Sequence, residues 1–167
     1  VGGAAIHGGL RGVEKEALRI GADGYLSTRS HPLSLGSALT HPEITTDFSE
    51  SLIELITPVS SDIEGNLEFL NDLHRFVYSQ IDNEELWGSS MPCIMEDDEN
   101  IPVAQYGQSN VARMKTAYRV GLGNRYGRRM QTIAGIHYNF SLPEALWPML
   151  QAQDMDRRPQ QDYITDS

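Results

Sequence analysis

Acidic or imidazole side chains stand inside four short segments whose other residues favour β-strands. The segments are residues 12–16 (GVEKE), 45–50 (TTDFSE), 52–56 (LIELI) and 135–140 (GIHYNF). Successive side chains of a strand point to opposite faces, so Glu14 and Glu16 share a face and lie roughly 6.5–7 Å apart. A charge inside a sheet is costly unless it is paired or bound to a metal. The pattern therefore predicts a sheet with a cation site on one face.

The overall charge limits the partners of such a sheet. The chain has 167 residues and is 40% hydrophobic, which is enough for one globular domain with a core. Its formal net charge of -10 argues against nucleic acid as the main partner, because phosphate contacts need a surplus of cations. Six of its 13 Lys and Arg residues nevertheless lie within residues 113–129. Such a local positive field suits a small phosphorylated or carboxylated ligand.

The single cysteine and the absence of long apolar runs bear on the compartment. Cys93 has no partner for an internal disulfide, which fits a reducing environment, and we expect it to be a small buried hydrophobe. No apolar run approaches the length of a membrane span, and no signal-peptide pattern opens the chain. We therefore expect a cytoplasmic protein without membrane association. The first residue, Val1, and the polar end of the chain suggest a piece of something larger.

Hydrophobic periodicity and turn residues predict an α+β fold. Strands are expected at residues 11–20, 44–48, 51–59 and 130–142. Residues 25–31 are expected to form a hairpin partner of the first strand. Helices are expected after a capping box at residues 61–64, then at 110–126 and at 143–153. The short loops indicate an antiparallel sheet with helices on one face. Residues 82–102, with the acidic run at 96–99, are expected to be an irregular, solvated loop.

Two elements are predicted to have contrasting faces. In the strand at 130–142, one face carries Gln131, Ile133, Gly135, His137 and Asn139, and the opposite face carries Ile136, Tyr138 and Phe140. One face of the sheet should therefore pack on helices while the other holds the chemistry. In the helix at 110–126, one stripe carries Val111, Met114, Tyr118 and Leu122, with basic residues around it.

Each candidate ligand also has a structural interpretation. Glu14, Glu16 or Asp47, taken singly, could be an exposed residue on a solvated face. Glu54 fits that alternative less well, because its four neighbours in LIELI are apolar. His137 is either a metal ligand or a hydrogen-bonded core histidine. Oxygen-rich sites with a minority of imidazole suit Mg²⁺ or Mn²⁺ better than Zn²⁺.

Several familiar catalytic motifs are absent from the sequence. There is no P-loop, no dinucleotide-binding pattern and no nucleophile elbow. The residues therefore favour a cation-dependent transfer on a small anionic substrate. Carboxylates would hold Mg²⁺, and arginines would neutralise a phosphate or carboxylate.

Four longer motifs carry a family resemblance. They are residues 12–19 (GVEKEALR), 38–48 (ALTHPEITTDF), 104–110 (AQYGQSN) and 135–141 (GIHYNFS). With these motifs in order, the chain resembles the bacterial glutamate-cysteine ligases (gamma-glutamylcysteine synthetases) from about residue 11 to residue 147. The resemblance implies that ATP phosphorylates the γ-carboxylate of L-glutamate and that the amine of L-cysteine attacks the γ-glutamyl phosphate. The products would be γ-glutamylcysteine, ADP and phosphate, in the first step of glutathione biosynthesis.

The resemblance also implies a fold and a set of site residues. The fold is that of the glutamine synthetase-like carboxylate-amine ligases, whose concave sheet face holds Mg²⁺ between acids and ATP phosphates. The residues that match the metal-binding motifs are Glu14, Glu16, Asp47, Glu54 and His137, and all but Asp47 are also expected to act in catalysis. The residues that match the substrate-binding positions are Phe48, Tyr118 and Arg119 for cysteine, and Gln131 and Asn139 for glutamate.

Family members are longer than this chain, which sets the expected domain boundaries. Residues 1–167 are expected to be the N-terminal portion of a single catalytic domain, with a polar end at 154–167. The rest of the domain, with a further metal-binding acid and much of the ATP site, would lie beyond Ser167. Val120 stands where close relatives are expected to carry an acid.

Three alternatives remain open at the level of the sequence. The parent protein could join glutamate to another amine, or continue into a glutathione synthetase. The isolated piece could also bind metal or substrate without turnover.

Overall fold

The computed structural model describes residues 8–166 of the chain. In that range it contains five strands and four α-helices. The strands are β1 (Leu10–Gly21), β2 (Ile44–Thr46), β3 (Leu52–Ile56), β4 (Glu84–Leu86) and β5 (Ile136–Ser141). The helices are α1 (Ile63–Gln80), α2 (Asn110–Tyr126), α3 (Trp147–Gln153) and α4 (Gln160–Asp166). The predicted α+β class is confirmed.

The long strand β1 organises an entirely antiparallel sheet. One edge of β1 pairs with β3, which in turn pairs with β2. The other edge of β1 pairs with β5 through residues 10–15 and with β4 through residues 19–21. All of these pairings are antiparallel, as the short loops of the sequence indicate.

One face of the sheet packs on helix α1. Ile44, Ile53 and Leu55 are almost fully buried there against Leu73 and Val77 of the helix. These residues alternate along their strands with the residues of the opposite face, which explains why one face is apolar. Burial of each such side chain contributes about 1.5–3 kcal/mol, so this layer accounts for much of the stability of the fold.

A buried ion pair connects the end of β1 to the loops around it. Arg19 has no exposed surface, and its guanidinium lies 2.5 Å from the carboxylate of Glu84. It also donates to the carbonyls of Arg29, Ser30 and Glu50 at 2.6–3.0 Å. The Glu50 carboxylate in turn accepts the backbone N–H groups of residues 31 and 105. This network ties β4 and the loops at residues 29–31 and 105 to the turn between β2 and β3.

Helix α2 has the bounds that its sequence predicts. Ser109 caps its N-terminus by accepting a hydrogen bond from the backbone N–H of Ala112 at 3.2 Å. The predicted stripe is exposed, however: Val111, Met114 and Tyr118 keep 59–67% of their surface accessible. Ala112 is the buried residue of this helix.

Two predicted strands differ most from the structure in their extent. Residues 25–31 turn back beside β1 but form only isolated bridges, at Tyr25 and Leu26, so the predicted hairpin strand is wrong. The predicted strand at 130–142 is shorter: residues 129–132 form a turn of 3-10 helix and β5 starts at residue 136. The sequence pattern continues upstream of β5, but residues 133–135 form no strand, although Gly135 is hydrogen-bonded to Glu16 of β1.

Two further predictions are corrected by local geometry. Helix α1 starts at Ile63 after an extended Asp62, without a side-chain cap, so the capping box at 61–64 does not form. The irregular segment 82–102 contains β4 and a 3-10 turn at Asp98–Asn100, where Arg129 pairs with Asp98 at 3.5 Å. The polar end contains α4, which packs on α3 through the buried Tyr163.

The apolar side of β5 is not covered in residues 8–166. Ile136, Tyr138 and Phe140 lie on the predicted face, yet all three are more than half exposed. Helix α1 contacts β1 and β3 and does not extend across β5. The expectation that this whole face packs on helices therefore holds for β3 and fails for β5.

Two smaller expectations concern Cys93 and membrane spans. Cys93 lies in a cluster with Leu18 and Leu52, and burial raises the pKa of its thiol, so it is a buried hydrophobe as predicted. Of the helices between residues 8 and 166, none combines the length and the apolar character that a membrane crossing requires.

Candidate active site

The face of the sheet opposite α1 gathers polar side chains from three adjacent strands, β3, β1 and β5. Glu14 and Glu16 share this face on β1, and Glu54 on β3 lies directly opposite Glu16. His137 on β5 lies opposite Glu14. The register therefore brings together four residues that are far apart in sequence, because the antiparallel pairing places β3 and β5 on the two edges of β1.

Glu14 is bonded across the strand boundary to β5. Its carboxylate accepts a hydrogen bond from the Asn139 amide at 2.8 Å, and its other oxygen lies 3.3 Å from the Nδ1 of His137. The Glu14 side chain is one-third exposed and that of His137 is 60% exposed. Both are therefore accessible to a ligand placed on this face.

Glu16 and Glu54 form a cross-strand pair of carboxylates. The Glu16 carboxylate accepts the backbone N–H of Gly135 at 2.6 Å, whereas the Glu54 carboxylate has no hydrogen-bond partner within the described residues. Residues directly opposite on antiparallel strands have Cβ atoms about 4.5–5.5 Å apart, so like charges there are destabilising. Burial, and then the carboxylate of Asp47, raise the pKa of Glu54, and burial followed by nearby acids also raises that of Glu16.

Asp47 follows β2 and is held by two residues from outside the sheet. Arg119 of α2 donates to the Asp47 carbonyl at 2.8 Å and to its carboxylate at 3.1 Å. The Tyr106 hydroxyl lies 2.7 Å from the same carbonyl. The turn that carries Asp47 is thus fixed against α2, with the carboxylate directed toward Glu16 and Glu54 closely enough to affect their pKa values.

The donor chemistry of this face fits a hard divalent cation. Four carboxylates and one imidazole match the oxygen-rich ligand sets of Mg²⁺ and Mn²⁺. The unpaired carboxylate of Glu54 opposite Glu16 is what a cation would neutralise. Within residues 8–166, however, no three His, Cys, Asp or Glu side chains are arranged to hold one ion as they stand. The described residues thus supply suitable ligands but not a closed coordination shell.

The predicted substrate residues fall into two groups. Tyr118 is 60% exposed on α2, whereas Phe48 is fully buried, with its ring close to Gly123 of that helix. Asn139 lies on the acid-bearing face as predicted. Gln131 does not share a strand with it, because Gln131 lies in the 3-10 turn before β5. The roles of these residues in binding stay predictions.

A cavity of about 330 Å³ lies away from the acids. It is lined by Asp23, Tyr25, Leu26, Thr28, Met95, Glu96, Asp97, Asn100 and Ile101. No predicted site residue lines it. This cavity is therefore separate from the face where the carboxylates gather, and the candidate site is the carboxylate cluster.

Two supporting contacts were not anticipated from the sequence. The Tyr106 hydroxyl holds the Asp47 turn, and the Gly135 N–H holds Glu16. Both residues stand in motifs that carry the family resemblance, but neither has a charge or a periodic position that would indicate its role. Both contacts depend on the tertiary arrangement.

Comparison with known proteins decides the family. The family model described as glutamate-cysteine ligase matches residues 2–167. The chain belongs to the glutamate-cysteine ligase family. A glutamate-cysteine ligase from Alcanivorax borkumensis is 60% identical over 97% of this chain, and one from Saccharophagus degradans is 55% identical over 95%. The chain spans 31% and 30% of the length of these two relatives.

Two solved structures share the fold. The ligase from Francisella tularensis, in complex with AMP, superposes with a TM-score of 0.84 at 42% identity, over 88% of this chain and 30% of that one. A bifunctional glutathione synthetase from Pasteurella multocida gives 0.82 at 34% identity, over 95% of this chain and 20% of that one. The predicted family and glutamine synthetase-like fold are confirmed.

The raised pKa of Glu54 leads to a pH-dependent stability. The folded state holds the Glu54 proton more tightly than the unfolded chain does. The free energy of unfolding therefore falls as the pH rises from the ordinary glutamate pKa of 4.5 through the raised pKa of folded Glu54. Without metal at pH 7.5, Glu54→Gln is expected to raise the thermal midpoint by roughly 1–4 °C, because a cross-strand pair of like charges costs up to about 1 kcal/mol. At pH 4 the gain should largely vanish.

Thermal scans at both pH values test this expectation, with Glu85→Gln on the exposed side of β4 as a matched control. A Glu54→Gln variant that is destabilised equally at the two pH values would contradict it.

Proposed function

We propose that the protein to which this chain belongs ligates L-glutamate to L-cysteine with the hydrolysis of ATP. The γ-carboxylate of glutamate would be phosphorylated and the amine of cysteine would displace the phosphate, giving γ-glutamylcysteine, the first intermediate of glutathione biosynthesis. The observation that carries this proposal is the 60% identity to a glutamate-cysteine ligase over 97% of the chain. The Francisella tularensis relative in complex with AMP supports a nucleotide as one of the substrates.

We assign the metal role to the acid-bearing face. Glu14, Glu16, Asp47, Glu54 and His137 would hold Mg²⁺, or Mn²⁺ in its place. When bound, such an ion neutralises the charge on the transferring phosphoryl group. Asn139 and His137 orient Glu14, and the Gly135 N–H orients Glu16, so two of the carboxylates are positioned before any ion arrives.

We assign the amine substrate to the region between the Asp47 turn and α2. Tyr118 offers an exposed ring there, and Arg119 fixes the turn that ends in Phe48. Gln131 and Asn139 are the candidates for contacts with glutamate. Phosphoryl transfer needs positioning and electrostatic stabilisation more than a strong base, and these residues supply both.

We interpret residues 1–167 as one portion of a single catalytic domain. The supporting observations are that the chain spans 31% of its Alcanivorax relative and that the apolar side of β5 is exposed. On this interpretation the chain alone should be inactive.

Phosphate release by the full-length protein tests the reaction. With ATP, Mg²⁺ and glutamate, release should depend on cysteine, and the 167-residue chain should release none under the same conditions. 2-Aminobutyrate and bulkier amino acids would serve as alternative acceptors. If another amine supported release and cysteine did not, the family would stand and the proposed substrate would be wrong.

A further inference from the structure

Helix α2 directs two cations toward the acid-bearing face. Lys115 and Arg119 are four residues apart, so their side chains are neighbours on one side of the helix. Arg119 is already engaged, because it donates to both the carbonyl and the carboxylate of Asp47. Its capacity to bind a substrate anion is therefore partly used by the protein itself.

Lys115 is placed differently from Arg119. Its Nζ lies 4.2 Å from the centroid of the Tyr106 ring, and in the part of the chain that the structure describes it makes neither a hydrogen bond nor an ion pair. The Tyr106 ring is itself fixed, since its hydroxyl lies 2.9 and 2.7 Å from the carbonyl oxygens of Thr46 and Asp47. The ammonium is thus held beside the Asp47 turn by the face of an aromatic ring.

The surroundings of Lys115 indicate that its ammonium lacks a partner anion. Partial burial, followed by the charge of Arg119, lowers the pKa of Lys115, while Glu54 and Asp47 act in the opposite direction from a distance. An ammonium carries three donors, and a partly desolvated cation with unfilled donors is costly. A ligand carboxylate placed above α2 would fill those donors.

We propose that Lys115 binds the α-carboxylate of the incoming amino acid. This inference rests on the ligation proposed above. Tyr118, which is predicted to line the cysteine pocket, stands three residues from Lys115 and so on the same side of α2. At neutral pH the carboxylate is the anionic group of cysteine, whose thiol and amine are largely protonated. An anion that reaches Lys115 beside Tyr118 therefore belongs to the amine substrate.

The test compares cysteine with cysteamine, which is cysteine without its carboxylate. In the full-length enzyme, Lys115→Met should lower kcat/KM for cysteine by roughly 10- to 100-fold, the value of a hydrogen bond to a charged group. It should leave kcat/KM for cysteamine within about twofold and the KM values for ATP and glutamate unchanged, because neither contact involves this ammonium. Lys115→Arg should recover part of the activity with cysteine.

Matched variants separate this role from a structural one. Arg125→Met removes a cation from an exposed position of the same helix and should leave kcat/KM unchanged for both cysteine and cysteamine. Lys115→Gln, which keeps a polar chain over Tyr106, should repeat the cysteine defect if Lys115→Met does not fold.

Two results would overturn the inference. An equal loss of kcat/KM for cysteine and for cysteamine would mean that Lys115 acts on the Asp47 turn or on the phosphoryl group. An unchanged kcat/KM for cysteine would mean that it binds no substrate. A wild-type enzyme that makes no γ-glutamylcysteine would instead refute the proposed function, and the inference with it.

Discussion

Replacing Glu54 by Gln in the full-length protein is expected to lower kcat for cysteine-dependent phosphate release about 10²–10³-fold, as loss of one preorganised charge-stabilising group does. Glu54 lies opposite Glu16 across the β1–β3 ladder, and burial raises its pKa. A neutral amide at this position removes the charge that would hold a divalent ion. The measurement is phosphate release across a range of Mg²⁺ concentrations.

A second readout distinguishes lost metal binding from lost folding. Mg²⁺ should raise the thermal midpoint of the wild-type protein, because a ligand that binds only the folded state stabilises it, and should do so less in Glu54→Gln. The metal-free variant should be at least as stable as wild type at pH 7.5, since one of two opposed carboxylates is gone. Glu85→Gln should behave as wild type in both assays. A Glu54→Gln enzyme with normal kcat and a normal response to Mg²⁺ would rule out the metal role of Glu54.

Arg19→Met is expected to destabilise the fold by about 3–5 kcal/mol, because breaking a buried ion pair leaves an uncompensated buried charge. Among residues 8–166, the buried Glu84 carboxylate would then keep the Ser27 hydroxyl as its one hydrogen-bond partner. The carbonyls of Arg29, Ser30 and Glu50 would also lose a charged donor. Hydrogen exchange of the β1 and β4 amides, together with the thermal midpoint, measures the loss.

The exposed pair of Arg75 and Asp72 on α1 provides a matched control. Their side chains are 75% and 64% exposed, and such pairs contribute at most about 1 kcal/mol. Arg75→Met should therefore leave exchange in the sheet unchanged. The double variant Arg19→Met/Glu84→Gln should recover only part of the stability, because the three carbonyls still lack their donor. If Arg19→Met were no more damaging than Arg75→Met, the buried network would not support this end of the sheet.

Local sequence signals predicted the first and last residues of an element best where those ends depend on residues within or next to the element. The bounds of α2 follow from Ser109 as an N-cap and from Gly127, which has φ +83° at its end, a conformation that favours glycine. Strand β1 was predicted within one residue at each end because its turn at Asp23 and Gly24 is a strong local signal. The same reasoning failed at Asp62, which precedes α1 without a side-chain cap, and at residues 129–132, which form a 3-10 turn in place of the predicted strand.

The sequence predicted the types of side chain in the candidate site better than the contacts between them. Alternation placed Glu14 and Glu16 on one face, and the apolar neighbours of Glu54 marked it as unusual. The engagement of Arg119 by Asp47 and the burial of Phe48 were not visible in the sequence. Both depend on where α2 lies against the Asp47 turn, which no periodicity encodes.

The sequence alone therefore established the class of fold, the face of each strand and the family, because side-chain alternation, turn chemistry and long ordered motifs are local properties of a chain. Only the tertiary structure showed that Glu16 meets Glu54, that Tyr106 supports Lys115 and that Arg19 joins β4 to two loops. These contacts link residues 9 to 65 positions apart, and their existence depends on strand register and on desolvation. Register and desolvation are set when the whole sheet assembles. The site residues could therefore be identified from the sequence, but their contact partners could not.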